Sequence, residues 1–343
     1  MSVSDVPNPS KISRLPVVVL MPHSRCDCRC LMCDIWRSSE THQISWQLLQ
    51  DLLAAFQTLE VRWVVLSGGE PLLYSNLFEL AELLKQREIR VSILSTGQRL
   101  EELSEKVAIH TSDTILSLDG PENVHDRIRC LKGAFLRLTR GIQRVREYRA
   151  DYPFSCRTTV QRDNFRHLRA TVEAALVAGF NSISFLPADV HSTAFNRPQP
   201  WQANRQRKIT GFKEEIEILQ QEIEQLITEY ALEIESGFIR ENPEKLRRIV
   251  QQFRVHIGEA LPVSPRCNAP WTSAVIEADG TVRPCFFHQS LGNIHTQSFI
   301  NIVNGTAARL FRASLDIPTN PTCQQCVCSL YVKGSEFSSA PIA

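Results

Sequence analysis

Short apolar runs and longer amphipathic stretches take turns along the first half of the chain. The compact runs, rich in β-branched residues, predict strands at about 16–21, 62–67, 90–95, 113–118, 154–160 and 182–186. Between them, apolar residues recurring at three- and four-residue intervals predict helices at about 45–58, 76–87, 100–109, 133–148 and 164–178. Six β-α units in a row predict an α/β fold with a parallel sheet, because parallel neighbours need a long crossover and a helix supplies it. Periodicity alone does not separate a curled sheet from a flat, doubly wound one. In both, ligand-binding groups gather at the carboxyl ends of the strands.

From residue 188 the order breaks. The stretch "VHSTAFNRPQPWQANRQR" is rich in turn formers, and it leads into a helical pattern with apolar residues at Ile209, Phe212, Ile216, Leu219, Ile223, Leu226 and Tyr230. That alternation of three and four makes a narrow packing seam, expected to lie on the sheet's outer layer or on the helix at about 242–256. Further on, "SAVIEADGTVRPC" reads as two short strands joined at Asp279-Gly280, a strong hairpin signal, and a helical stretch follows near 305–315. The chain therefore divides into an extension (1–15), a β/α part (16–187), a helical connecting segment (188–262), a C-terminal part (263–335) and a tail (336–343).

Charge excludes some functions. The 343 residues carry 38 basic and 37 acidic groups, a net charge of +1, so no electrostatic footprint for nucleic acid or an anionic membrane shows. No apolar run approaches the ~20 residues of a membrane span, and the opening "MSVSDVPNPSKISR" has no apolar core of a signal peptide. Eleven cysteines, an odd number without an export signal, point to metal ligation in a reducing cytoplasm.

Three of them stand at C-x3-C-x2-C spacing directly after the first strand: Cys26, Cys30 and Cys33. Three ligands are one too few for a closed zinc site or a closed four-iron cluster, so a cluster held here would leave one iron open. The spacing alone leaves a zinc or purely structural role open. One strand later comes "VRWVVLSGGEPLLY", whose glycines let a ligand approach the backbone, and then "ILSTG" and "ILSLDGPENVHDRIR" close the next two strands.

With these motifs the chain resembles the radical S-adenosylmethionine (SAM) superfamily over most of its length. The resemblance implies a partial (β/α)6 TIM-like barrel and a [4Fe-4S] cluster held by the three cysteines and by SAM. In that family an electron from the cluster cleaves SAM to a 5′-deoxyadenosyl radical, which abstracts a substrate hydrogen. It further implies that Gly68, Gly69 and Glu70 bind the methionyl amino group, Ser117 contacts the ribose, Arg129 holds the carboxylate, and Leu186 lies against adenine. Met32 stands where the family usually has an aromatic residue. A low-potential electron donor such as flavodoxin or ferredoxin is the implied partner.

Five more cysteines, Cys267, Cys285, Cys323, Cys326 and Cys328, give C-x12-G-x4-C followed by C-x2-C. This looks like the auxiliary-cluster region known as SPASM when long and twitch when short, here a small β-hairpin and helix domain. Five cysteines suffice for one auxiliary [4Fe-4S] cluster, on Cys267, Cys285, Cys323 and Cys326 with Cys328 in reserve. A four-cysteine zinc site is the alternative. Cys28, Cys130 and Cys156 are expected as buried free thiols, and His125, His191 and His288 as structural histidines.

The resemblance leads to an oxidoreductase that dehydrogenates a small molecule, such as a sugar or cyclitol of a natural-product or envelope route. Modification of a ribosomally made peptide is the alternative within the class. A non-enzymatic iron–sulfur or zinc-binding adaptor is the alternative outside it. Phe286, directly after the second auxiliary cysteine, departs from the aspartate of the sulfatase maturases.

Overall fold

In a computed structural model of the chain, residues 11–38 and 40–333 are described. The expected tail at 336–343, residues 1–10 of the expected extension, and 334–335 lie outside the described residues.

The six apolar runs form strands β1 (Val17–Leu20), β2 (Trp63–Leu66), β3 (Arg90–Ser95), β4 (Asp113–Ser117), β5 (Phe154–Val160) and β6 (Ser182–Pro187). They pair in parallel, each with the next. The crossovers are α1 (Trp46–Thr58), α2 (Leu77–Lys85), α3 (Ser104–His110), α4 (Glu122–Arg129) with α5 (Ala134–Tyr148), and α6 (Leu168–Val177). Helix α4 falls inside the stretch "PENVHDRIR", whose polar residues hide its short apolar face of Val124 and Ile128.

Strands β5 and β6 have two unlike faces. On β5, Phe154, Cys156, Thr158 and Val160 are buried under the helices, and Ser155, Arg157 and Thr159 are half-buried on the concave side. The sheet curls into a partial TIM-like barrel and does not close. Its order is β6-β5-β4-β3-β2-β1-β7-β8-β9, so β6 and β9 are its two edges. Residues 239–241 cover the β6 edge: Ile239 bridges Ile183, and the Glu241 carboxylate accepts bonds from the Phe185 N–H at 2.8 Å and the Ser184 hydroxyl at 2.9 Å.

The long helical pattern divides in two. Gly211, with φ +81°, ends α7 (Ala203–Thr210), and α8 (Lys213–Glu229) begins after it. A glycine takes this backbone shape without the strain that a side chain would bring. The seam is therefore shorter than its periodicity predicts. Ile209 packs with Ala188, Val190 and Trp201, and Phe212 is 48% exposed. Ile216, Leu219, Ile223 and Leu226 remain buried. Through them α8 lies against α6 and, after the single turn α9 (Ala231–Glu235), against α10 (Pro243–His256).

The C-terminal part begins with the turn α11 (Ala269–Thr272) and joins the same sheet. Strand β7 (Ser273–Ile276) runs parallel to β1, and β8 (Thr281–Arg283) returns antiparallel through the expected turn, with Gly280 at φ +84°. After β9 (Gly292–Asn293) come α12 (Phe299–Asn304), α13 (Thr306–Ser314) and α14 (Pro321–Gln324). The chain then passes back to the sheet, where Val332 packs on Val17, Trp63 and Val65 near the amino ends of β1 and β2.

Candidate functional site

The loop between β1 and α1 carries Cys26, Cys30 and Cys33, and it sits at the carboxyl end of the sheet. It is tied to the end of α4, since the N–H groups of Arg29 and Leu31 donate to the carbonyls of Arg129 and Ile128. The Cys30 sulfur accepts from Arg129 Nη1 at 3.5 Å, and the Cys33 sulfur from the Ile35 N–H at 3.5 Å. A bond from the Cys28 thiol, and then the Arg129 charge, bring Cys30 down to about 7. Burial pushes Cys33 up to about 11 and raises Cys26. Cys28 and Cys156 are buried as expected. Cys28 nevertheless does more than fill space. Cys130 corrects the expectation for the extra thiols: it caps α4 with φ +52° and is exposed.

The glycines after β2 explain how the loop is seated. A Cβ on Gly69 would lie 1.8 Å from the Arg25 carbonyl oxygen, and one on Gly68 2.9 Å from Met21 Cβ. The Glu70 N–H donates to that same Arg25 carbonyl at 2.7 Å. Glu70 is fully buried, and its carboxylate accepts four bonds: from Ser95 Oγ at 2.8 Å and the Leu72 N–H at 3.0 Å, and from the Thr96 N–H at 2.7 Å and Thr96 Oγ1 at 2.8 Å. The carboxylate thus braces the turn. Burial, with Asp27 close by, lifts it to about 7.

Asp27, unremarked in the sequence because it lies between two cysteines, shares the Thr96 hydroxyl with Glu70 at 3.0 Å. One hydroxyl proton serves one carboxylate at a time, and Asp27 Oδ2 has no partner among the described residues. Asp27 is half-buried beside the buried Glu70, and two carboxylates side by side raise each other's pKa unless a proton or a cation lies between them.

Arg129, 6% exposed, pairs with the buried Asp119 at 2.5 Å. Burial opposes its charge, but Asp119 and the thiols of Cys30 and Cys28 more than offset this and hold it above its ordinary range. Its Nε is buried without a partner. Ser117 ends β4 on the same face as Asp113 and Ile115, and Leu186 lies on the concave face of β6. Gly68, Gly69, Glu70 and Arg129 therefore meet the cysteine loop, while Ser117 and Leu186 line strand ends further along the same rim.

The turn-rich stretch after β6 latches this loop. Asp34 accepts from Trp201 Nε1 at 2.6 Å and from both terminal nitrogens of Arg205 at 3.0 and 2.6 Å; Arg197 reaches the Met32 carbonyl at 3.1 Å. Met32 itself packs with Trp201 and Ile209. The sequence predicts only a connecting segment here, because a latch made of single polar contacts leaves no period.

The second cysteine set spans the turn before β7, the end of the hairpin and α14. Burial, with Cys285 and Cys267 as neighbours, pushes Cys323 up to about 12, and burial lifts Cys285 to about 11. The Cys267 sulfur accepts from the Ala269 N–H at 3.5 Å, and Cys326 donates to the Cys328 carbonyl at 3.1 Å. His288, expected to be structural, is buried with Nε2 3.3 Å from the Cys323 sulfur. His125 and His191 bond to the Asp119 N–H and to His256.

Both sets fit iron–sulfur ligation. All their cysteines are free thiols, and N–H groups already point at sulfur in each. Among the described residues no three Cys, His, Asp or Glu side chains close on a single metal ion. A four-iron cluster is held differently, each thiolate on its own iron.

Comparison with known proteins agrees with this geometry. Residues 20–175 match the radical SAM superfamily, and residues 267–327 match SPASM, an iron-sulfur cluster-binding domain. The chain is 36% identical over 119 residues to an AdoMet-dependent heme synthase of Methanosarcina barkeri, 34% of each chain. It is 26% identical over 308 residues to an Fe-coproporphyrin III synthase of the same organism, 84% of this chain and 73% of that one. It thus spans about a third of the first relative and nearly three quarters of the second. Among solved structures, SuiB of Streptococcus suis bound to its precursor peptide SuiA shares the fold, with a TM-score of 0.62 at 14% identity, covering 92% of this chain and 71% of that one. No helix among the described residues is long and apolar enough to cross a membrane. The chain belongs to the radical SAM superfamily and carries a C-terminal SPASM domain, and its cofactors are SAM and iron–sulfur clusters.

Proposed function

We propose that this radical SAM enzyme oxidises a small molecule that carries a carboxylate. The supporting observation is one cavity of about 60 Å³ lined by both the concave sheet face and the second cysteine set. Arg157, Ser184 and Leu186 of the concave sheet face line it on one side, and Cys326 and Cys328 on the other. Arg157, Lys245 and Arg248 outnumber the single Glu241 on its walls, and Arg157 Nε is buried without a partner among the described residues. A buried guanidinium N–H left unpaired is costly, and a carboxylate satisfies it in fork geometry. The space suits the acidic end of a substrate, with the rest of it extending out of the barrel.

SAM bound to the first cluster supplies the 5′-deoxyadenosyl radical. Taking a hydrogen atom leaves a carbon-centred radical, and a two-electron oxidation then needs somewhere for the second electron. Cys326 and Cys328 border the same cavity, so the second cluster would be that place. We assign it to Cys267, Cys285, Cys323 and Cys326, with Cys328 in reserve. The Methanosarcina barkeri relative is named for coproporphyrin, a tetracarboxylate, which agrees with an acid-reading wall. A sugar or cyclitol fits the same wall when it bears an acid group.

Reduced, reconstituted protein should form 5′-deoxyadenosine faster with carboxylate-bearing candidates than with their methyl esters. The panel would comprise sugar acids, porphyrin carboxylic acids and acidic peptides. Arg157→Gln should remove that preference and raise KM about 10- to 100-fold, the loss of a charged hydrogen bond of about 1.5–3 kcal/mol. Slow SAM cleavage without substrate should stay unchanged. Equal rates for acid and ester in the wild type would sink the carboxylate reading.

For SAM itself, we place the methionyl ammonium beside Asp27 and the backbone of Gly68 and Gly69, since the Glu70 carboxylate is already bonded four times. The SAM carboxylate falls to Arg129, the ribose to Ser117 and the adenine to Leu186. Asp27→Asn should weaken SAM binding by about 1–3 kcal/mol with iron content unchanged, as measured by equilibrium dialysis. Unaltered affinity would return the ammonium to Glu70.

A further inference from the structure

We propose that the open groove beside Cys30 is the docking surface for a small acidic electron-transfer protein. The inference rests on the reading of Cys26, Cys30 and Cys33 as holders of a cluster that must be reduced. The groove measures about 840 Å³ and shares no lining residue with the cavity beside the second set. Cys30 forms part of its wall, so a redox protein seated there comes within a side chain of a cluster ligand.

The surrounding charge is one-sided. Arg29, Arg37, Arg162, Arg205 and Lys208 line the groove, against the single carboxylate of Asp163. Arg37 and Arg205 share Asp34 at 2.9 and 2.6 Å, Arg162 pairs with Glu215 at 2.9 Å, and Arg127 with Asp163 at 3.3 Å. Arg29 and Lys208 are exposed and make no ion pair among the described residues. Six cations thus face three carboxylates in one patch of a chain whose total charge is only +1. Neither the fold nor the latch needs that surplus, because Asp34 is already satisfied by Arg205 and Trp201.

The floor between the charges is apolar, with Leu31, Trp36 and Ile209. A small apolar centre inside a charged rim is what a transient redox encounter uses. Charge brings the partner quickly, and the modest contact area lets it leave after one electron. An anionic substrate fits less well here, since no strand residue of the concave face and no cysteine of the second set lines the groove. The partner implied is therefore a protein with an acidic rim around an exposed one-electron centre.

The test follows cluster reduction in reconstituted protein under anaerobic stopped flow, with reduced flavodoxin or an acidic [2Fe-2S] ferredoxin as donor and dithionite as the small-molecule control. Arg29→Glu with Lys208→Glu should slow reduction by at least one protein donor about tenfold or more at low ionic strength. The deficit should shrink as salt screens the patch. Dithionite should reduce wild type and variant alike, which shows that the loop still holds its cluster. Arg140→Glu, an exposed cation on α5, should behave as wild type. The proposal is overturned if the double variant is reduced by the protein donors as fast as the wild type, or if neither donor reduces the wild type while dithionite does. Clusters that reduce yet release no 5′-deoxyadenosine would instead strike at SAM cleavage, and the docking result would still be readable.

Discussion

Replacing Cys26, Cys30 and Cys33 together by alanine is expected to abolish 5′-deoxyadenosine formation and to remove about half of some eight bound irons, as the loss of one of two four-iron clusters requires. Replacing Cys323 and Cys326 should remove the other half and leave SAM cleavage in place. The two sets sit on separate segments, one on the loop after β1 and the other spread from the turn before β7 through the end of the hairpin to α14 and the residues after it, so thiolates in one should lose metal without disturbing the other. If the second cluster takes the substrate's electron, product vanishes in the Cys323→Ala, Cys326→Ala variant while hydrogen abstraction continues. Deuterium from labelled substrate should then still appear in 5′-deoxyadenosine. Iron near four in the wild type, or zinc in the C-terminal set, would remove the basis for a two-cluster enzyme. A folded double variant that makes product at the wild-type rate would show that the second cluster neither accepts the electron nor holds the substrate.

Gly69→Ala should do nearly as much harm as losing a cysteine, although Gly69 offers no ligand. The added methyl carbon would stand 1.8 Å from the Arg25 carbonyl oxygen, 2.4 Å from its carbon and 2.8 Å from the Ser24 carbonyl oxygen, all backbone. No rotamer change relieves a clash between backbone and Cβ, so the cysteine loop must lift. The cost should reach or pass the ~3 kcal/mol upper end of ordinary overpacking. Because the Glu70 N–H bonds the same Arg25 carbonyl, lifting the loop also loosens the turn that Glu70 braces. The expected result is a protein that still folds but melts at a lower temperature, its second cluster retained, about four irons lost and no SAM cleavage. Gly258→Ala is the fitting control: its Cβ would meet nothing within 4 Å, and any cost would be only that of its φ of +79°. Full iron content and wild-type cleavage in Gly69→Ala would mean that the loop is not seated as described.

Much of the site was legible because its motifs are local in sequence. The spacing of Cys26, Cys30 and Cys33, the "GGEP" turn and the hairpin at Asp279-Gly280 each reflect constraints inside a dozen residues. Even the break at Gly211 had a visible signal, an isolated glycine in a helical pattern; the three-and-four spacing across it was coincidence between a short helix and a long one. The role of Glu70 was not legible. Its position in the motif suggested a ligand contact, but its partners Ser95 and Thr96 come from the next strand end, 25 and 26 residues away.

By itself the sequence determined six parallel strands, most of the helices in the crossovers between them, two cysteine sets and the glycines that admit the loop, because period and spacing are properties of neighbouring residues. Only the tertiary structure decided that β7 extends the barrel sheet beside β1 and that the stretch after β6 latches the cysteine loop through Asp34, Trp201 and Arg205. It also decided that Asp27 is left with an open oxygen, and that Arg157 and Cys326 face one cavity. These are meetings between segments tens to hundreds of residues apart, chosen by which edges and faces remain unsatisfied once the local elements have formed, and no window along the chain contains both partners.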